Sequence, residues 1–189
     1  MIGNDIVDFS EARKTDRWKN PRFLDIVFTA QEQNLIGNKA NAFQRIWELW
    51  SAKESVYKVL LQRSEAPFFN PKKLECSHRD NLTVVRYKSL TYRVQTNTTS
   101  NYVLSQTANP TLQIKKRVIL FKTPQLKQQQ RVLKSTLLED MSQTYGKSLS
   151  LLNFKKTSQG VPYVCLNSKT INISLTHHGQ YGAYAFPVI

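Results

Sequence analysis

Apolar and polar positions change period along the chain, and the changes divide it into elements. Residues 1–9 place Ile2, Ile6, Val7 and Phe9 among the polar Asn4, Asp5 and Asp8, which predicts a short strand. Residues 21–27 read as a turn or short helix. Thr29 followed by Glu32 has capping-box spacing, so a helix opens there. Residues 40–62 carry the strongest helical signal: Phe43, Ile46, Trp47, Trp50, Val56, Tyr57, Leu60 and Leu61 recur with helical period. Pro67 and Pro71 close that stretch. Strand-like runs follow at 82–86, 90–95, 102–106 and 115–121. A second helix is predicted from Pro124 to about Thr144, its apolar face made of Leu126, Val132, Leu133, Leu137, Leu138 and Met141, with Gly146 as its stop. The chain then turns β-rich, with runs at 151–154, 163–166, 171–175 and 181–188.

Strand, long helix and strand pair therefore occur twice. Residues 170–186 also align without a gap to 91–107, with Thr170 on Thr91, Ile173 on Val94 and Tyr181 on Tyr102. The expected fold is α+β: two halves, 1–114 and 115–189, related by pseudo-twofold symmetry, with a ligand site in the cleft between them.

Composition narrows the partners. The 189 residues carry a net charge of +14, which favours a polyanion: nucleic acid, a phosphorylated small molecule or an acidic protein. The charge is uneven. Residues 1–114 are net +5 and hold 11 of the 13 acids, whereas 115–189 are net +9 with only Glu139 and Asp140. A metal site suits the first part and a phosphate site the second. No apolar run spans a membrane, and the first residues lack the pattern of a signal peptide, so a cytoplasmic setting is expected. Two cysteines make no disulfide framework. Phosphate-binding P-loop, dinucleotide and Gly-x-Ser-x-Gly motifs do not occur.

Four stretches could carry chemistry. Glu54 and Lys58 are an i,i+4 pair on the long helix, which alone reads as a surface ion pair; but Glu54 shares its face with Trp47, Trp50 and Tyr57, where a carboxylate needs a cation. Asp5 lies in an apolar strand beside Gly3 and is either a turn aspartate or a hard-metal ligand; with Glu54 it offers Mg²⁺ two oxygen donors. Ser174–Gly179 follows a strand, and its two histidines alternate in direction, so His177 is either a surface side chain or part of a phosphate-binding turn. Gly160-Val161-Pro162, preceded by Lys155 and Lys156, is a turn.

Taken together, Ile2-Gly3-Asn4-Asp5, Phe28-Thr29-Ala30-Gln31-Glu32, Trp50-Ser51-Ala52-Lys53-Glu54-Ser55 with Lys58, Gly160-Val161-Pro162 and Ser174-Leu175-Thr176-His177 resemble the 4′-phosphopantetheinyl transferase superfamily. The motif order resembles the small holo-acyl-carrier-protein synthases, and the length the fused two-half enzymes of the surfactin-synthetase type. The resemblance implies a Mg²⁺-dependent transfer of phosphopantetheine from coenzyme A to a serine of an acidic apo carrier protein. It implies Asp5 and Glu54 as metal ligands, Glu54 or a water it orients as the group that takes the serine proton, and Lys58, Thr176 and His177 as phosphate contacts. Gly160, Lys156 and, on the second helix, Arg131 would complete the coenzyme A site. Two positions depart from the larger enzymes: Val7 stands where they have a third metal acid, and Val161 where they have lysine. A basic nucleic-acid-binding module and a coenzyme-A-binding pseudoenzyme of the same fold are the competing expectations.

Overall fold

A computed structural model describes residues 1–37, 41–68, 70–79 and 82–188. The chain opens with strand β1 (Asn4–Asp8) and passes through three short helices, α1 (Phe9–Ala12), α2 (Pro21–Val27) and α3 (Ala30–Ile36). The long helix α4 (Ala42–Gln62) follows, then β2 (Glu75–Arg79), β3 (Leu82–Tyr87), β4 (Leu90–Thr98), β5 (Tyr102–Thr107) and β6 (Ile114–Leu120). The second long helix, α5 (Leu126–Tyr145), leads to β7 (Leu152–Lys156), β8 (Pro162–Leu166), β9 (Lys169–Asn172), β10 (Ser174–His178) and β11 (Tyr181–Pro187). No helix among the described residues is long and apolar enough to cross a membrane.

The expected α+β class holds. One antiparallel sheet has the order β1-β5-β4-β3-β2; two smaller ones run β10-β11-β6 and β7-β8-β9. Several boundaries differ from the expected ones. Phe9 starts α1 because the Asp8 carboxylate accepts the N–H groups of Ser10 and Glu11 and caps a helix. Strand β2 lacked a readable alternation. The expected run 171–175 is divided at Ile173, which is fully buried, into β9 and β10. The expected start at residue 40 lies outside the described residues.

Helix α4 packs its buried face (Ile46, Leu49, Ala52, Val56, Leu60) on the large sheet, and α5 packs Leu133, Leu137 and Met141 against β8, β9 and β11. The thioether and leucines of α5 and the aromatic-rich α4 thus make two separate cores, joined by a small cluster of Ile6, Leu104 and Ala183 with Tyr102, Val118 and Tyr181. Gly3 lets β1 reach α4: a Cβ there would lie 1.8 Å from the Ser55 carbonyl oxygen, so only glycine fits.

The Phe28–Glu32 and Lys53 motif residues build this frame. Thr29 and Glu32 form the expected capping box. Glu32 is fully buried and also accepts the Cys76 N–H at 2.7 Å and the Lys53 ammonium at 2.7 Å. Lys53, 1% exposed, donates further to the carbonyls of Val27 and Pro71, each at 3.0 Å. All three ammonium hydrogens are thereby used. This pair ties α4, α3, β2 and the 63–74 connection together, and it is structural.

Candidate active site

The site is built where β1 lies between α4 and β10. On one side, Ser51 donates to the Asp5 carbonyl at 3.0 Å and Lys58 to the Asn4 carbonyl at 2.8 Å. On the other, three successive outward N–H groups of β1 meet three side chains of β10. Asn4, Ile6 and Asp8 donate to Ser174 Oγ, Thr176 Oγ1 and His178 Nδ1 at 3.0, 3.3 and 3.0 Å. Both series advance by two residues, as strand geometry requires. Gln62 closes the near end, holding Ile2 and Ile173 through its amide.

This frame brings Asp5, Glu54, Lys58, Thr176 and His177 into one region. Asp5 Oδ1 accepts from Lys58 Nζ and from Thr176 Oγ1, both at 2.9 Å. Asp5 Oδ2 accepts no hydrogen bond from any described residue. Glu54 forms no ion pair or hydrogen bond among the described residues, and its expected partner Lys58 binds Asp5 instead. Burial, reinforced by the nearby Asp5 charge and opposed by Lys58, pushes the Glu54 carboxyl up to about 7. Desolvation, then Lys58 and His178, hold His177 below the ordinary histidine range.

The strand alternation sends the two histidines apart as expected: His178 receives the Asp8 N–H, and His177 is exposed beside a cavity. Thr176 is turned toward β1. Its hydroxyl accepts from Ile6 and donates to Asp5, so it positions the carboxylate. Val7 is 3% exposed and packs with Phe9, Ala12 and Val103, leaving no third acid there. Asp8 alternates to the other face of β1. Its two oxygens serve Ser10, Glu11 and Gln180, and against the cost of burial these bonds hold it below the usual carboxylate range.

Cavities open on both sides. Lys58, Gly160, Pro162, Ser174 and Leu175 line one of about 180 Å³. His177, His178, Lys122 and Gln129 line another of about 650 Å³. Glu54 borders a third, largely apolar one of about 330 Å³ with Tyr57, Phe68 and Leu74. Lys156 is exposed at the end of β7, and Arg131 is exposed on α5; neither lines these cavities.

Residues 1–107, more than half of the chain, match the 4′-phosphopantetheinyl transferase superfamily. The chain belongs to this superfamily. It is also similar to the holo-[acyl-carrier-protein] synthase of Caldanaerobacter subterraneus subsp. tengcongensis, 37% identical over 60 residues. That alignment covers 32% of this chain and 46% of the relative, so the chain spans about half of its length. The superfamily match includes Asp5, Glu54 and Lys58. Gly160, Thr176 and His177 lie beyond it and are tied to the site by contact alone.

The donor set suits one kind of metal. Among the described residues, no three His, Cys, Asp or Glu side chains are grouped to hold an ion. That disfavours a zinc cage. Two neighbouring carboxylates, with an Asp5 oxygen and a Glu54 side chain that have no partner among the described residues, suit Mg²⁺ shared with phosphate oxygens and water.

Proposed function

We propose that this chain transfers 4′-phosphopantetheine from coenzyme A to a serine of an apo acyl or peptidyl carrier protein, in a Mg²⁺-dependent reaction. The observation that carries the reading is the convergence of Asp5, Glu54 and Lys58 from the superfamily segment with Thr176 and His177 from the far end of the chain. Asp5 and Glu54 would hold Mg²⁺, which supplies charge neutralisation at the transferring phosphoryl group. Lys58 reaches Asp5 and the cavity beside Gly160, so its ammonium can contact a coenzyme A phosphate while keeping Asp5 oriented. His177 adds a donor beside it. Glu54, or a water it orients, accepts the serine proton. The serine oxygen bonds to the β-phosphorus as the bridging P–O bond breaks, and adenosine 3′,5′-bisphosphate leaves with that electron pair.

The site is read as lying between two halves, 1–114 and 115–189. Supporting this, positions related by the internal repeat touch each other. The Tyr102 and Tyr181 rings are 5.0 Å apart, and Leu104 and Ala183 share one cluster. Such self-matching contacts are the mark of a twofold arrangement. The strand order β6-β11-β10 also repeats β1-β5-β4. The setting is read as cytoplasmic, where coenzyme A and carrier proteins meet.

Incubation with coenzyme A, Mg²⁺ and a panel of apo carrier proteins tests the proposal. A phosphopantetheine mass shift on the carrier is expected. No shift on any carrier that a known transferase modifies would refute it. Salt-sensitive binding to generic DNA without coenzyme A affinity would place the +14 charge with a nucleic acid instead.

A further inference from the structure

We infer that Gln62 is a positioning residue of the transfer: its carboxamide fixes the register between the two strands that carry the reacting groups, β1 with Asp5 and β10 with Thr176 and His177. The inference rests on the transferase reading above. Strands β1 and β10 belong to different sheets, and no backbone–backbone hydrogen bond joins them among the described residues. They meet through the side chains of Ser174, Thr176 and His178, which accept the N–H groups of Asn4, Ile6 and Asp8. Such a comb repeats every two residues. A slip of one tooth, about 7 Å, would give outward N–H groups of β1 new acceptors of the same kind, yet carry Asp5 away from Lys58 and Thr176. The two bonds to Asp5 Oδ1 oppose that slip, but they lie in the reacting centre, where the donor phosphates compete for Lys58.

Gln62 lies outside that centre and holds both strands at once. Its Oε1 accepts the Ile2 N–H at 3.0 Å, and its Nε2 donates to the carbonyls of Ile2 at 2.7 Å and Ile173 at 3.0 Å. Both amide hydrogens are thereby used. Ile2 and Ile173 are 1% and 0% exposed, so their backbone groups depend on the amide rather than on water. Ile2 stands just ahead of β1 and its Asp5, and Ile173 just ahead of β10 and its Thr176. Both members of the Asp5–Thr176 bond therefore hang from one carboxamide. Lys58 stands one turn earlier on the same face of α4 and reaches Asp5 and the Asn4 carbonyl. That face grips β1 twice, and through Gln62 it also grips the lead-in to β10. The chemistry selects glutamine. Ionised glutamate has the same length but would turn an oxygen toward two carbonyl oxygens, and methionine has similar bulk without the hydrogen bonds.

Steady-state transfer to an apo acyl carrier protein tests the assignment, with Gln62→Met and Gln62→Glu compared below their melting temperatures. Q62M should lower kcat on the order of tenfold, with KM for coenzyme A and for the carrier nearly unchanged. Q62E should lose on the order of a hundredfold, although its shape is nearer to glutamine. A role in packing alone would reverse that order. Amide hydrogen exchange read by NMR gives a second measure. In Q62M the amides of Ile2 and Asn4 should exchange on the order of tenfold faster, with those of β3 and β4 unmoved. Wild-type kcat in both variants overturns the role, as does Q62E outperforming Q62M, or a coenzyme A KM that rises while kcat stays. Should neither variant fold, the wild type still decides: an Ile2 amide exchanging as fast as an unstructured peptide overturns the register lock, and slow exchange supports it. A wild-type chain that modifies no carrier removes the transferase reading and the positioning role together; an active wild type with unaffected variants removes only the role of Gln62.

Discussion

Replacing Glu54 with glutamine should stabilise the metal-free protein near pH 8 while abolishing transfer. The reason is the position of the carboxylate. Burial, and secondarily Asp5, raise its pKa from 4.5 to about 7, with Lys58 only partly compensating. A group bound more tightly to its proton in the folded state makes folding less favourable as pH rises from the unfolded value through the folded one. The ionised form at pH 8 thus destabilises by up to about 3 kcal/mol, and solvent screening of a partly exposed side chain reduces this to about 1–2 kcal/mol. Glutamine keeps the shape without the charge. In a chain of this size that corresponds to a Tm higher by about 4 °C. At pH 4 wild type and variant should differ little, because Glu54 is then protonated. Calorimetry in chelating buffer at pH 4, 6 and 8 reads the trend, and the carrier mass shift reads activity. An E54Q protein that is no more stable than wild type at pH 8, or that still transfers at near wild-type rate, would refute the reasoning: the first the strained carboxylate, the second its catalytic role.

Lys53→Met should lower stability by about 3–5 kcal/mol, because it leaves Glu32 charged at 0% exposure without its cation; a urea midpoint near wild type would contradict the structural role given to this motif lysine. Gly3→Ala should cost several kcal/mol and activity together, since its Cβ meets the Ser55 carbonyl at 1.8 Å and β1 must shift, moving Asp5; a fully active, equally stable variant would show that the two backbones are not in close contact. Asp8→Asn should cost about 1 kcal/mol at pH 7, and the difference from wild type should shrink as pH falls through the lowered carboxyl pKa, where wild type loses the same charge. Parallel stability curves down to low pH would count against it.

Much of the site was readable from residue types and spacing. Asp5, Glu54 and Lys58 stood out because carboxylates and a lysine occurred on otherwise apolar strand and helix faces, where each charge needs a partner. The capping box of Thr29 and Glu32 was likewise a local signal. Lys53 was not legible in the same way: its partners are Glu32, Val27 and Pro71, 18 to 26 positions away, and no periodicity encodes such a meeting. The task of Thr176 was hidden for the same reason. Ser174, Thr176 and His178 show the period of two, but their match to Asn4, Ile6 and Asp8 lies 170 residues away.

By itself the sequence determined the α+β pattern and two long amphipathic helices, and it pointed to a repeat of 91–107 at 170–186 and to a short set of candidate side chains for metal and phosphate. These follow from local periodicity and from the cost of placing charge among apolar residues. The tertiary structure alone decided who pairs with whom: Lys58 with Asp5 rather than Glu54, Lys53 with Glu32, Thr176 with Asp5, and Arg131 with none of the described cavities. Pairing of that kind depends on which backbone can approach which. Here the missing side chain of Gly3 lets β1 sit against α4, while the polar side chains of β10 satisfy its other edge.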